Sequence, residues 1–416
     1  MKTSIIILTY NKLNYTKLCI ESIRKYTDNG TYEVIVVDNN SSDGTVEWLK
    51  KQRDIVTIFN NENFGFPKGC NQGIEVAEGE NILLLNNDTI MTKNWLINMT
   101  KCLYSNINIG AVGCVTNYCS NCQVIQAEYQ TIDELFDFCE KYNVSNEELW
   151  EERLRLIGFC VLIKKEVVNK VGLLDEIFTP GNFEDDDYSF RAVKAGYKLM
   201  LCKDTFIHHF GSTSFKENYE TFNENLVINE EKFKQKWGFY LNEDFDTHPN
   251  LSNILPQNYN DKFKLLEIGC GVGANLRYIK NMYKNAELYG IDKNINALSI
   301  ASTFVNTQSS DMENMNLEYE KGFFDFIIVG NILQQLKNPK DVIKYLEPFL
   351  NNKGKLLVCV PDSGNASLLN NNIYINDSLS YYIKENKVKL FNYSLIHCDN
   401  GRDIEGLDIE GLDIAQ

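Results

Sequence analysis

"SIIILTY", residues 4–10, is the stretch from which the architecture can be read. It is a continuous apolar run rich in β-branched residues, the pattern of a strand buried on both faces. A helical segment is expected over about 15–26. "YEVIVVD" (32–38) reads as a second such strand, and "SSDGTVEWLKKQ" (41–52) as a turn feeding a helix. "IVTIFN" (55–60), "PKGCNQGIEVAEG" (67–79) and "NILLLNND" (81–88) continue as strand, helix and strand. This βαβα rhythm predicts a parallel sheet with helices on both faces, and ligands then bind beyond the carboxyl ends of the strands. Polar residues gather at those ends: Thr9, Tyr10 and Asn11, then Asp38 and Asn39, then Asn86, Asn87 and Asp88.

Farther on, "TIDELFDFCEKYNVSNEELWEERL" (131–154) is rich in charge and helix formers, so 120–155 reads as a helical insertion. "GFCVLIKKEVVNKVG" (158–172) returns to strand and helix. "NFEDDDYSFRAVKAGYKLMLC" (182–202) gives an acidic cluster, a helix and another strand. Residues 241–258 are polar, contain two prolines and read as a linker. The βα rhythm then restarts in "FKLLEIGCGVGANLRYIK" (263–280), "AELYGIDKNINALSIA" (286–301), "FFDFIIVGNILQQL" (323–336) and "GKLLVCVP" (354–361). Two α/β domains are expected, 1–240 and 259–416. The closing "DIEGLDIEGLDIAQ" is an acidic repeat to which no function is assigned.

The chain has 416 residues, 44% of them hydrophobic, enough for two full cores. Its formal charge of −16 argues against binding nucleic acid through a basic field. No apolar run reaches the roughly 18 residues of a membrane span. "MKTSIIILTYNK" is too short and too polar for a signal peptide, so a cytoplasmic protein without a transmembrane segment is expected. Twelve cysteines lie mostly in apolar runs and read as buried thiols of a reducing compartment. Cys119 and Cys122 form one C-x-x-C, with no second pair at metal-binding spacing.

Four places carry chemistry in the first domain. Asp88 either ends its strand in an Asx turn or holds a metal ion. Asn63, Gly65, Gly69 and Asn71 lie in a glycine-rich loop before a helix, where glycine lets backbone approach a ligand or simply makes a turn. Glu184, Asp185, Asp186 and Asp187 repel one another, which raises at least one pKa. Some of them also serve the N-terminus of the helix that follows. His208 and His209 follow a strand, and neighbouring side chains there point to opposite faces.

In order, "SIIILTYN", "VIVVDNNSSDGT", "NFGFPKGCNQGI", "LLLNNDT", "GFCVLIKKEV", "GLLDEIF…FEDDDYSFRA" and "IHHFGSTSF" resemble the family 2 glycosyltransferases, which have the GT-A fold. The match is closest to the branch that adds rhamnose and related sugars to cell-surface glycans or proteins such as flagellin. The resemblance implies an inverting transfer from a nucleotide-sugar donor to a hydroxyl acceptor, aided by Mn²⁺ or Mg²⁺. The family's Asp-x-Asp metal motif reads Asn86-Asn87-Asp88 here, leaving Asp88 as the main protein ligand. His209, or else His208, would complete the metal shell. Thr9, Tyr10, Asn11 and Asp38, with Asn63, Gly65, Gly69, Asn71, Asn86 and Asn87, would bind the donor. The family's Glu-Asp motif falls on Glu184 and Asp185, with Asp185 as the base.

In the second domain, Glu267, Gly269, Gly271 and Gly273 form an E-x-G-x-G-x-G loop between a strand and a helix, and Asp292 ends the next strand. With the segments that follow, this resembles class I methyltransferases that use S-adenosylmethionine. The resemblance implies that the glycine loop faces the methionine end of that cofactor, that Asp292 binds its ribose and that Asp311 lies at its adenine. Gln334 and Gln335 stand where the family often has Glu-His, and the part after Val360 is short for an acceptor site. The expected function is glycosyl transfer with methylation of the added sugar. A second domain that only binds or docks, and a non-catalytic nucleotide-sugar scaffold, are the alternatives.

Overall fold

The computed structural model describes residues 1–119, 123–211, 219–241, 255–330, 332, 336–361 and 389–393. They form two compact units, one of Met1–Lys232 and one beginning at Phe233.

In the first unit, β1 (Thr3–Thr9), β2 (Tyr32–Asp38), β3 (Ile55–Phe59) and β4 (Asn81–Asn86) alternate with α1 (Leu13–Tyr26), α2 (Thr45–Leu49) and α3 (Phe66–Val76). Ile5, Ile6 and Ile7 are all fully buried, as a run without alternation requires when helices cover both sheet faces. Beyond them come β5 (Thr89–Ile90), α4 (Trp95–Ser105), β6 (Ile109–Val115), α5 (Ile132–Tyr142), β7 (Trp150–Arg153), β8 (Cys160–Lys164), α6 (Lys165–Val171), α7 (Glu184–Lys194), β9 (Lys198–Phe206) and β10 (His208–His209). The eight-stranded sheet runs β3-β2-β1-β4-β8-β6-β9-β7, while β5 and β10 pair separately.

The expected parallel sheet is found only in part. β1 to β4 are mutually parallel, but β8 runs antiparallel to both β4 and β6, and β7 antiparallel to β9. The stretch read as a helical insertion holds α5 and then β7, an edge strand of the sheet. Strand order reverses beside β1, where β2 lies on one side and β4 on the other, and the ends of β1, β2 and β4 meet there. Helix α3 packs close over this point. A Cβ on Gly69 would stand 2.2 Å from Leu8 Cδ1, and one on Gly73 2.5 Å from Ile6 Cγ2.

Helix α8 (Tyr219–Trp237) crosses the division between the units. The second unit contains β11 (Lys264–Ile268), α9 (Ala274–Met282), β12 (Glu287–Asp292), α10 (Ile295–Ala301), β13 (Asn306–Ser309), β14 (Phe324–Val329), α11 (Pro339–Leu346), β15 (Leu350–Pro361) and β16 (Lys389–Tyr393). Its sheet is wholly parallel, in the order β13-β12-β11-β14-β15-β16, the doubly wound arrangement. Gln334, Gln335, Cys122 and the DIEGL repeat lie outside the described residues. Nine of the described cysteines are buried free thiols. Among the described residues, no helix is long and apolar enough to cross a membrane.

Candidate active site

The end of β4 turns sharply at Asn86. The Asn86 N–H donates to the Phe159 carbonyl (2.9 Å), and its own carbonyl accepts from the Thr89 hydroxyl (2.8 Å). Asp88 is thereby carried to β10, which pairs antiparallel with β5. There His209 Nε2 lies 3.2 Å from Asp88 Oδ1 and 3.3 Å from Asn86 Nδ2. The other ring nitrogen, Nδ1, is 2.7 Å from the Tyr118 carbonyl. A carbonyl only accepts, so Nδ1 carries the hydrogen, and neutral His209 presents its lone pair at Nε2. Two electron-pair donors then face each other across 3.2 Å. That arrangement is stable with a proton or a metal cation between them.

His208 goes the other way. Its Nδ1 lies 2.6 Å from the Tyr129 hydroxyl, and its ring packs edge-on against Phe210. Burial, reinforced by the neighbouring His209, depresses its pKa to about 3, so it is a neutral core imidazole. Of the two candidate histidines, the fold brings only His209 to Asp88. Among the described residues, no group of three or more His, Cys, Asp or Glu gathers as a metal cage. A cation here would take two or three protein atoms and complete its shell from the ligand, as is usual for Mg²⁺ at phosphate-binding sites.

The acidic cluster opens α7. Asn182 and Phe183 both adopt left-handed backbone, turning the chain sharply into the helix. The four carboxylates then separate by direction. Asp187 pairs with Arg191 (2.8 Å) and is fully buried. Asp186 lies 3.1 Å from Arg155 Nη1, close enough for charge pairing but without hydrogen-bond alignment. Burial raises its pKa to about 7 against the pull of that guanidinium. Glu184 is buried with Oε2 unpartnered, and burial together with the charge of Asp185 holds its pKa well above the carboxylate range. Only Asp185 keeps partial exposure. Its Oδ2 accepts from Gly158 N–H (2.8 Å) and its Oδ1 from Asp186 N–H (2.9 Å). Burial raises its pKa, opposed by the Gly158 N–H and by Arg155.

Gly158 and Phe159, just before β8, join the two clusters. Gly158 donates to Asp185, while Phe159 accepts from Asn86 and stacks on His209 (5.2 Å between centroids). In the sequence these two mark only the start of a strand, and Arg155, Asn117 and Tyr118 carry no signal there. No pattern marks them, because their partners lie 31 to 92 positions away in the chain.

The donor-side residues divide. Asp38 is fully buried; its Oδ1 accepts from Ser41 N–H (2.9 Å), whereas Oδ2 has no hydrogen-bond partner. Tyr10 is exposed. Asn11 ties the first loop to the second, accepting from Ser42 N–H (2.8 Å) and donating its own N–H to the Ser41 hydroxyl (2.7 Å). Thr9 and Asn87 face inward: the Asn87 amide reaches the hydroxyls of Thr9 (3.3 Å) and Thr16 (3.0 Å). Asn71 makes a two-way bond with the Leu174 backbone (2.9 and 3.0 Å), which fastens α3 to a distant loop. Asn63 accepts from Gly65 N–H (3.0 Å) and from the Asn39 amide (3.1 Å).

The two glycines of this loop are demanded by packing. Gly69 faces Leu8, and a Cβ on Gly65 would lie 2.9 Å from Pro180 Cα. Gly65 also has φ +81°. Gly65→Ala is therefore expected to destabilise the first unit by about 1–3 kcal/mol through strain and displacement of residues 179–180. Urea unfolding followed on that unit's transition checks this.

In the second unit, Gly269, Gly271 and Gly273 all have positive φ, so the loop after β11 exists only with glycine at these places. Gly271 N–H donates to Asp292 Oδ2 (2.9 Å), and Asn294 N–H to Asp292 Oδ1 (2.8 Å). Asp292 thus stands at the loop with lone pairs remaining on both oxygens. Glu267 is buried and accepts from the Asn275 amide (2.9 Å). Asp311 is exposed, and its pKa is lowered by hydrogen bonds from the Asn314 amide and Glu313 N–H.

Comparison with known proteins agrees with both halves. Residues 4–172 match the family described as Glycosyl transferase family 2, and residues 240–392 match a Methyltransferase domain. Glycosyltransferase AglE of Haloferax volcanii is 26% identical over 211 residues, covering 50% of this chain and 66% of AglE. An uncharacterized glycosyltransferase of Rickettsia bellii is 27% identical over 188 residues, covering 45% of this chain and 25% of that protein. The chain thus spans a quarter of one curated relative and just under two thirds of the other. A solved mannosyltransferase from Pyrobaculum calidifontis, in complex with GDP-Man and Mn²⁺, aligns over 72% of this chain and 73% of its own, with a TM-score of 0.43 and 16% identity. The chain joins a glycosyltransferase family 2 domain to a methyltransferase domain.

Proposed function

We propose that this protein is an inverting, metal-dependent glycosyltransferase that moves a sugar from a nucleotide donor to a hydroxyl of a cell-surface glycan or glycoprotein. The observation that carries this reading is one short segment, Gly158-Phe159, which donates an N–H to the partly exposed Asp185 carboxylate, accepts from the Asn86 N–H and stacks on His209 beside Asp88. A base for the acceptor and a cation seat for the leaving diphosphate are thereby held on one support. Asp185 takes the acceptor proton; its three acidic neighbours are buried or ion-paired and do not compete for the substrate. Asp88 and His209, with Asn86 beside them, would hold Mn²⁺ or Mg²⁺. Such a cation neutralises the charge that develops on the departing phosphate. Asp38, at the end of β2, would stand by the base and ribose of the donor, as the resemblance implies.

On this reading residues 1–240 act on the donor, 241–258 link, and 259–416 form a methyltransferase-like domain. That domain would bind S-adenosylmethionine at the glycine loop and Asp292 and methylate the added sugar. Fusion raises the effective concentration of the glycosylated product near the second site.

Thermal unfolding of the purified chain with UDP, GDP, dTDP and CDP, each with and without Mn²⁺, and separately with S-adenosylhomocysteine, tests the scheme. A ligand at 100 times its Kd stabilises the folded form by about 2.7 kcal/mol, a shift of several degrees. A Mn²⁺-dependent shift with one nucleotide is expected in one transition, and a shift with S-adenosylhomocysteine in the other. No nucleotide shift would overturn the donor site. No shift with S-adenosylhomocysteine would leave the second domain as a docking module.

A further inference from the structure

Strand β10 is two residues long and, among the described residues, has strand β5 on one side only. Two main-chain hydrogen bonds of His209 go instead to a side chain. Asn117 donates its amide N–H to the His209 carbonyl (3.1 Å) and accepts the His209 N–H on Oδ1 (2.9 Å). The carboxamide offers one donor and one acceptor side by side, as a peptide group of a neighbouring strand would. Asn117 therefore stands in for a missing strand. The next residue continues the grip, its carbonyl taking the Nδ1–H of the same histidine (2.7 Å). Tyr118 is itself fixed by Gly211, where a Cβ would stand 2.2 Å from the ring. Residues 117 and 118 thus hold His209 at its N–H, its C=O and its Nδ1, and turn Nε2 toward Asp88 and Asn86.

We infer that Asn117 is a positioning residue for His209 and sets the affinity of the Asp88–His209 pair for a divalent cation. This rests on the metal reading above. Asn117 does not reach the cation itself; it fixes where Nε2 points. No other side-chain type of its length offers both a donor and an acceptor to the backbone. Outer residues that orient a ligating histidine are typically worth about 10–100-fold in metal affinity.

The test is Mn²⁺ binding, followed by the electron paramagnetic resonance signal of free Mn²⁺ at a saturating level of the nucleoside diphosphate that stabilises the chain most. Asn117→Ala, His209→Ala and the double variant complete a cycle. Asn117→Ala is expected to weaken Mn²⁺ binding about 10-fold or more, with metal-free nucleotide binding unchanged. In the His209→Ala background it should weaken binding no further, because the ligand it orients is gone. Equal loss in both backgrounds, or no loss in either, overturns the assignment. Asn117→Asp keeps the shape but loses the amide donor, and provides the same cycle should the alanine variant fail to fold. If His209→Ala binds Mn²⁺ as tightly as the parent, the metal reading fails and this inference with it. If His209→Ala is weak while Asn117→Ala is normal, only the inference fails.

Discussion

The Asp185→Asn chain is expected to transfer sugar about 10²–10⁴-fold more slowly than the parent while binding nucleotide and Mn²⁺ normally. The expectation follows from how the fold sorts four adjacent carboxylates. Asp187 is neutralised by Arg191, Asp186 lies against Arg155, and Glu184 is sealed from solvent. Of the four, Asp185 alone keeps partial exposure, and its Oδ2 is steadied by Gly158. An amide of the same shape keeps the fold but cannot accept a proton. The pH profile gives a second reading. Burial raises the pKa of Asp185 above the usual 3.8, with the Gly158 N–H opposing. The base must be ionised to work, so kcat/KM should fall as pH drops through that raised value. The Asn variant should lose that acid limb. Initial rates of nucleoside diphosphate release, taken across pH, measure both; full turnover by Asp185→Asn would remove it as the base.

Loss of Asp88 should be felt earlier, at donor binding. Asp88→Ala removes the carboxylate that lies 3.2 Å from His209 Nε2, beside which Asn86 Nδ2 stands at 3.3 Å. Nucleotide affinity in Mn²⁺ should drop about 100-fold, to the level the parent shows in a chelator, and a chelator should not weaken the variant further. Calorimetric titration with the nucleotide that stabilises the parent reads this directly. A variant that retains its Mn²⁺ response would place the cation elsewhere. Because Asn86 takes the place of an aspartate in the family's motif, the site carries one carboxylate fewer than that motif supplies. On the proposed metal reading His209 would be the second strong ligand, and His209→Ala should rank close to Asp88→Ala.

Much of this was legible along the chain. The unbroken run of Ile5, Ile6 and Ile7 marks a strand covered on both sides, since an exposed face would demand alternating polar residues. The glycines at 269, 271 and 273 mark a loop of left-handed backbone, which other residues rarely tolerate. Strand ends follow from the same patterns, and so does the gathering of Thr9, Asp38 and Asp88 at one edge. Local periodicity carries this information because burial acts on each element separately.

Other features depend on partners far away in sequence. The antiparallel entry of β8 between β4 and β6 left no local trace, because a strand buried on both faces looks alike in either direction. The glycine-rich loop suits a ligand cradle or a plain turn equally well in sequence, and the close packing of Gly65 on Pro180 and of Gly69 on Leu8 shows only in the fold. The choice between His208 and His209 is one of orientation, decided by Tyr129 on one side and by Asn117, Tyr118 and Asp88 on the other. Residue type and periodicity along the chain set which residues are chemically able to bind, ligate or accept a proton, and to which end of the sheet they belong. Which of them face one another follows from the folded arrangement alone, because hydrogen bonds and burial act between groups brought together from opposite parts of the chain.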